Sequence, residues 1–248
     1  MPDRSAENLR RLAPAEIQQL AFGVRYEAQL KLMDKIGAVI DEILRADGTP
    51  FGPDRFPLTD AGTYQYRLVN EQMDSLLVIN AADTILQLPM KTKNESQVKE
   101  LASDFQEYVL EPLREIGGVK NIARYGVLFR FTEQEAASLE NPPIKRYLSP
   151  EFPNANSLAM HFSRRLPVEE ALAMKRVNDF RNAIYSVEHS ESGKVQVSID
   201  YQEYFEPLLD VREWDERPFT AFVGRGTEYV HDEFQRWFQK FAAVAEVA

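Results

Sequence analysis

The chain has 248 residues, of which 44% are hydrophobic, and it carries a formal net charge of −10 at pH 7. Its length suits one large domain or two small ones, with enough apolar surface for a substantial core. The absence of cysteine excludes disulfides, thiolate zinc sites, iron–sulfur clusters and cysteine nucleophiles. The negative charge argues against tight, sequence-independent binding of nucleic acid, although a local basic groove is compatible with it.

The first residues are charged and lack the apolar stretch of a signal peptide. No run in the sequence approaches the ~20 continuous apolar residues of a membrane span. We therefore expect a cytoplasmic protein that does not enter the membrane, and we expect residues 1–15 to form a flexible leader.

The first half of the chain predicts a mixture of strands and helices. Leu20, Phe22 and Val24 alternate with polar or small residues, which indicates a strand with one buried face. Three prolines and two glycines within 49–62 indicate a loop. The predicted elements are a strand at 17–28, a helix at 29–46, strands at 63–70 and 74–88, a helix at 95–116 and a strand at 121–131.

The second half repeats this order after a proline-rich linker at 132–156. An acidic loop is expected between its hairpin and its last helix. The predicted elements are a strand at 157–166, a helix at 168–181, strands at 183–189 and 194–205, and a helix that begins near 220 or 226 and ends near 244.

The sequence therefore predicts an α+β fold built from two similar β-α-β-β-α units, at 16–131 and 157–248. This order is that of split βαβ, ferredoxin-like units, in antiparallel-rich sheets with helices on one face. The apolar stripes of the helices, which recur at three- and four-residue steps, predict a set of core residues. These are Leu30, Ile36, Ile40, Phe105, Leu113, Phe234, Trp237 and Phe241.

Basic residues suggest two binding surfaces for an anion or a nucleic acid. The first is a cluster that could clamp a phosphate or an acidic peptide, formed by Arg164, Arg165, Lys175, Arg176 and Arg181. Arg225 stands between two glycines near the last helix and could hold an anion at the helix N-terminus. Salt bridges with neighbouring acids, and an ordinary flexible start to that helix, are the alternatives.

The second basic surface would lie on the sheet. Four arginines occur within apolar strand patterns, where they would share the face opposite the core if that face were exposed: Arg25, Arg67, Arg124 and Arg130. Outward-facing strand residues are often charged, so a solvated face is the alternative interpretation.

Nine acidic residues and only two basic ones occupy 188–216, with aromatic residues between them. Such a segment could attract a basic, partly apolar protein partner by charge and hold it by aromatic contacts. The predicted contact residues are Asp210, Glu213, Trp214 and Asp215. The alternative is a solvated acidic face whose aromatic residues lie in the core.

No established catalytic or nucleotide-binding motif occurs in the chain. The histidines His161, His189 and His231 lack the spacing of metal ligands. We therefore expect no bound metal and no cofactor. A small-molecule enzyme would need at least two of these histidines to meet a carboxylate in one cleft.

Three segments resemble a sporadically distributed family of uncharacterised bacterial proteins of about this length. They are IARYGVLFRF at 122–131, AFGVRYEA at 21–28 and EYVHDEFQRWF at 228–238. The resemblance covers most of the chain and transfers no catalytic residue. The patchy distribution of the family implies a setting in mobile genetic islands, including antiviral defence.

These observations favour a non-catalytic interaction or regulatory protein, for example an accessory subunit of a bacterial defence or toxin–antitoxin-like operon. A protein partner is expected. The alternatives are a protein that binds or processes RNA or DNA on duplicated ferredoxin-like units, and an enzyme that uses histidine and carboxylates.

Overall fold

The computed structural model describes residues 17–45, 51, 56, 58–61, 65–71, 74–92, 94–133, 158–166, 178–189 and 195–245. Within these ranges the chain forms a single sheet of nine strands. The strands are β1 (Ile17–Tyr26), β2 (Leu58–Ala61), β3 (Gln65–Asn70), β4 (Ser75–Asn80), β5 (Asp83–Thr92), β6 (Asn121–Glu133), β7 (Leu158–Leu166), β8 (Phe180–His189) and β9 (Val195–Asp210).

In the part of the chain that the structure describes, three helical regions accompany the sheet. Helix α1 is Leu30–Arg45, and the last helix, α4, is Phe219–Ala245. Helix α2 (Glu95–Phe105) continues through a π-helical segment, Gln106–Leu110, into α3 (Glu111–Glu115). Asn94 caps the start of α2, because its side chain accepts a hydrogen bond from the backbone N–H of Ser96 at 2.9 Å.

The strand order in the sheet is β2-β3-β4-β5-β1-β6-β9-β8-β7, and every described pairing is antiparallel. The predicted α+β class with an antiparallel sheet is therefore confirmed. Strand β6 pairs with β1 on one side and with β9 on the other. Both halves of the chain thus belong to one sheet, and β1 and β6 lie at its centre.

The core lies between the helices and one face of the sheet, here called the core face. Aromatic rings from strands and helices meet there: Phe22 of β1 lies 5.6 Å from Phe105 of α2 and 5.4 Å from Phe219 of α4. Tyr125 of β6 contacts the same Phe219 edge-on at 5.3 Å. These residues belong to one continuous cluster of buried side chains that includes the apolar stripe of α1.

Four of the predicted core residues are buried, namely Ile36, Ile40, Phe105 and Leu113. The prediction for Leu30 is wrong, since 77% of its surface is exposed. The buried stripe of α1 is formed by Leu32, Ile36, Val39, Ile40 and Ile43, and Leu30 lies on the opposite side of the helix, about 160° from Leu32 at ~100° per residue. The side chains of Phe234, Trp237 and Phe241 lie outside the described residues.

Helix α4 passes close to the sheet at Gly226. A Cβ built on Gly226 would lie 2.9 Å from Val127 Cγ1 and 3.1 Å from Tyr201 Cδ1, so only glycine fits at this crossing. Gly224 has room, with Lys99 Cε at 3.8 Å as its nearest neighbour. Since α4 begins at Phe219, the segment around Arg225 is inside the helix and does not form its N-terminus.

The predicted strand at 74–88 is two strands, β4 and β5, joined by a tight turn at 81–82. The side chain of Asn80 accepts hydrogen bonds from the backbone N–H groups of Ala82, at 2.8 Å, and Asp83, at 2.9 Å. This arrangement reverses the chain without glycine or proline. The turn was not predicted because the apolar residues around it continue without interruption in the sequence.

Three further boundaries differ from the prediction. Residues 58–61 of the predicted loop form β2, and Phe180 and Arg181 of the predicted helix at 168–181 belong to β8. Residues 206–210 of the predicted acidic loop extend β9. The leader at 1–15, residues 134–156 of the linker and residues 168–177 of the predicted helix lie outside the described residues. Within the described ranges, no helix is long and apolar enough to cross a membrane.

Candidate functional site

The face of the sheet opposite the core is here called the open face, because the described helices contact the other face. Its central row crosses eight strands from β3 to β7, over a width of ~34 Å at the usual strand spacing. The residues that face one another along this row are Arg67, Val78, Ile85, Gly23, Gly126, Gln202, Asn182 and Arg165. Apart from Gln202, they are exposed or half-buried.

Two glycines face each other at the centre of the open face. Gly23 of β1 is paired with Gly126 of β6. A Cβ on Gly23 would meet nothing within 4 Å, and a Cβ on Gly126 would have no atom nearer than 3.8 Å. Neither residue has a positive φ. Packing and backbone conformation therefore do not require glycine at either position.

The four arginines that the alternation assigned to this face do lie on it. Arg25 is paired with Arg124 across the central strands, and Arg67 occupies the central row. Arg130, nearer the other end of β6, donates to Gln19 Oε1 at 2.5 Å. The structure adds Arg165, at the β7 end of the row. The described acidic side chains on the same face include Asp83, which is paired with Arg25, Asp200 and Glu188.

An alternating stack of arginine and aromatic side chains crosses four neighbouring strands of the open face. The guanidinium carbon of Arg165 lies 4.0 Å from the centre of the Phe180 ring. That ring stacks on Tyr204, with the centroids 4.5 Å apart and the planes 8° from parallel. The guanidinium carbon of Arg124 lies 5.6 Å from the centre of the Tyr204 ring. We call these four residues the arginine–aromatic stack.

A chain of hydrogen bonds connects this stack with a half-buried acid. Arg124 donates to the Tyr204 hydroxyl at 3.3 Å, and that hydroxyl donates to Gln202 Oε1 at 2.6 Å. Gln202 Nε2 donates in turn to Asp200 Oδ2 at 2.5 Å. Burial raises the pKa of Asp200, although its hydrogen bond with Gln202 and the charge of Arg124 oppose this effect.

Arginines on the core side of the sheet are arranged differently, because each one pairs with a buried acid. Glu203, whose side chain is 1% exposed, accepts from Arg181 at 3.1 Å and from Arg225 at 2.9 Å. Asp179 accepts from Arg217 at 2.8 Å. This network connects β8, β9 and the first turns of α4, so its role is structural.

The arginines predicted to bind an anion do not converge. Arg164 and Arg165 are consecutive in β7 and therefore point to opposite faces of the sheet. Arg164 forms an ion pair with Glu233 of α4 at 3.5 Å, and Arg225 pairs with Glu203. Arg176 lies outside the described residues. The salt-bridge alternative therefore describes Arg164, while Arg165 belongs to the open face. For Arg225, the predicted anion site at a helix N-terminus and the alternative of a flexible helix start are both wrong, because Arg225 lies inside α4.

The acidic segment holds its tryptophan in the core. Trp214 is 5% exposed, and the guanidinium carbon of Arg114 lies 5.8 Å from its ring centre, so Trp214 is not a surface anchor in this conformation. Asp215 is exposed and Glu213 half-buried. Asp210 accepts from the side chain of Arg212, which lowers the pKa of the Asp210 carboxyl to about 2.

The two histidines with described side chains lie on opposite sides of the sheet. His161 is on the open face of β7, opposite Ser186, and His231 is on α4. The side chain of His189 is outside the described residues. Among the described residues, no group of three or more histidine, cysteine, aspartate or glutamate side chains could hold a metal ion.

Comparison with protein-family models finds no match, and comparison with curated proteins finds none either. Among solved structures, the chain is similar to one described as Methanococcus jannaschii TBP. The identity is 10% and the TM-score 0.23, over 88% of this chain and 97% of that chain. A TM-score this low does not indicate a shared fold or a shared function.

The sequence interpretation missed two features of the open face. The glycine pair was visible as an aromatic-Gly-Val sequence in both segments, at Phe22–Val24 and Tyr125–Val127, but their facing arrangement depends on the pairing of β1 with β6. Phe180 was assigned to a helix, so its stacking on Tyr204 of the neighbouring strand β9 was not predicted.

Proposed function

We propose that this chain is a non-catalytic binding protein whose ligand lies on the open face of the sheet. The observation that carries the proposal is the separation of its arginines. Those on the core side are neutralised by Glu203, Asp179 and Glu233, whereas no described carboxylate forms an ion pair with Arg25, Arg124 or Arg165. Asp83 faces Arg25 across the strands, and the charge of Arg124 acts on Asp200, so acids balance these arginines only in part. Basic side chains that no ion pair neutralises suit an anionic ligand.

The pairing of Arg25 with Arg124 supports this proposal. Like charges directly opposite each other on neighbouring strands destabilise a sheet. A bound anion would relieve the repulsion between the two guanidinium groups. Asp83, which is paired with Arg25 on the other side, offsets part of this repulsion, so a bound anion would relieve the remainder.

The glycine pair supports it independently. Glycine weakens the interior of a strand, and it is common where a ligand or another backbone approaches closely. The added Cβ atoms at Gly23 and Gly126 would meet no close neighbour, so the fold itself does not explain these residues. A ligand that lies flat across the centre of the sheet would explain both glycines.

We also propose that the sheet consists of two related units. The strand order supports this, because β1 is followed outward by β5, β4 and β3, while β6 is followed outward by β9, β8 and β7. Helices α2 and α4 each follow the hairpin of their half. This correspondence favours a boundary just before β6, so that β1 and β6 are equivalent strands.

A paired capture experiment from the native host tests the binding proposal. Gly23→Val adds a side chain at the centre of the open face, and Gly37→Val makes the same change on the exposed side of α1, where there is also room for a Cβ. Bound material is identified by mass spectrometry and by sequencing. We expect a ligand that wild-type protein and Gly37→Val retain and that Gly23→Val loses.

Two results would contradict the proposal. One is an identical set of captured molecules for all three proteins. The other is a thermal midpoint of Gly23→Val well below that of wild type, because the face would then already be occupied by part of this chain. The setting in a defence or toxin–antitoxin-like operon stays a prediction from the sequence.

A further inference from the structure

The arginine–aromatic stack holds two guanidinium groups in fixed positions on the open face. Arg165 is stacked on one end of the Phe180–Tyr204 pair, and Arg124 adjoins the other end. A guanidinium that packs over a ring keeps N–H groups available for two-point contact with a phosphate. Arg124 uses one N–H group on the Tyr204 hydroxyl, at 3.3 Å, and its other N–H groups remain for a ligand. Because the rings fix these side chains in advance, binding costs less conformational entropy.

Apolar side chains lie between the arginines along the central row. Ile85 is 43% exposed and pairs with Val78 on one side and with Gly23 on the other. Leu128, half-buried, lies beyond Gly126 on β6. The open face therefore offers cationic groups on its central strands, at Arg25 and Arg124, and on β7, at Arg165, beside an apolar patch formed by Val78, Ile85 and Leu128.

We propose that the open face binds single-stranded nucleic acid, with phosphates on Arg124 and Arg165 and bases against the apolar centre. This inference rests on the proposed function. Only an unpaired strand presents phosphates and bare base surfaces together, whereas a duplex conceals its base faces. The net charge of −10 opposes a polyanion at long range, so the local separation of charge on the sheet is what favours binding.

The test measures the binding of a fluorescein-labelled uridine or thymidine homopolymer by fluorescence anisotropy over a series of salt concentrations. Arg124→Ser/Arg165→Ser removes two charges from the open face. Lys31→Ser/Arg45→Ser removes two charges from exposed positions on α1 and is the matched control. Loss of two single-strand phosphate contacts should reduce the slope of log affinity against log salt by about 1.4. At ~0.1 M salt, this corresponds to a loss of roughly an order of magnitude in affinity.

Arg124→Lys/Arg165→Lys guards against a loss of folding, because it keeps both charges. We expect it to retain the salt slope of wild type but to bind more weakly, since lysine lacks the planar two-point contact. Wild-type affinity in the serine variant, or equal loss in the α1 control, would overturn the inference.

Competing ligands separate this inference from the proposed function. Stronger binding of a duplex or of a poly-glutamate peptide than of the homopolymer would refute the single-strand assignment. If the homopolymers do not bind and Gly23→Val still loses a protein ligand in the capture experiment, the nucleic-acid inference fails and the binding function of the open face stands.

Discussion

The contact between α4 and the sheet predicts opposite effects for the same substitution at two glycines. Gly224 and Gly226 are two residues apart in one helix, where replacing glycine by alanine gains about 1 kcal/mol of helix propensity. At Gly224 the new methyl group has room, with its nearest neighbour at 3.8 Å. Gly224→Ala should therefore increase the free energy of unfolding by about 1 kcal/mol.

At Gly226 the methyl group would lie 2.9 Å from Val127 Cγ1 and 3.1 Å from Tyr201 Cδ1. The preferred separation of carbon atoms is ~3.5–4.0 Å, so the helix or the strands must shift. Overpacking of this kind costs ~1–3 kcal/mol. After the gain in propensity, Gly226→Ala should lower the free energy of unfolding by ~0–2 kcal/mol.

Urea denaturation followed by far-UV circular dichroism measures both variants. Because the propensity gain is common to both, the difference between them isolates the steric cost at Gly226 and should be ~1–3 kcal/mol. Val127→Ala removes the nearest clashing atom, so in that background the cost of Gly226→Ala should shrink. Equal stability of the two glycine variants would refute the close approach of α4 to β6 and β9.

Three further predictions concern acidic residues. The pKa of Asp200 is raised in the folded protein, so the native state binds this proton more tightly than the unfolded state does. The free energy of unfolding of wild type should therefore fall relative to that of Asp200→Asn as the pH rises above 3.8, and urea denaturation across pH measures this. Glu203→Ala leaves the half-buried Arg181 and Arg225 without their acid; because both keep some access to water, the cost should be at or below the lower end of ~3–5 kcal/mol, measured in the same way. NMR titration should find a pKa of about 2 for Asp210 in wild type and a value nearer 3.8 in Arg212→Ala.

The periodicity of apolar residues predicted those helices and strands whose pattern is complete within the element itself. Strand β1 and helix α1 were placed within two residues of their ends, because their alternation and their apolar stripe are uninterrupted. The turn between β4 and β5 was missed because it depends on one asparagine, Asn80, within a continuous apolar run.

The candidate site was predicted only in part, for a related reason. Alternation within single strands placed Arg25, Arg67, Arg124 and Arg130 on one face, since side-chain direction is a local property of a strand. The facing glycines and the stack of Arg165 on Phe180 depend on the lateral order of strands from distant parts of the chain. That order is set by the packing of the whole sheet, and no local pattern encodes it.

The central position of β6 has a consequence for synthesis of the protein. Its partner β1 precedes it, but its other partner, β9, is complete only when the ribosome has reached Asp210. At typical translation rates of ~5–20 residues per second, one edge of β6 stays unpaired for ~4–15 s until β9 has been synthesised. During that interval the nascent chain presents a long apolar edge to neighbouring chains on the same message. Slow synthesis between β6 and β9 would therefore increase aggregation, even though the completed protein has β6 enclosed on both sides.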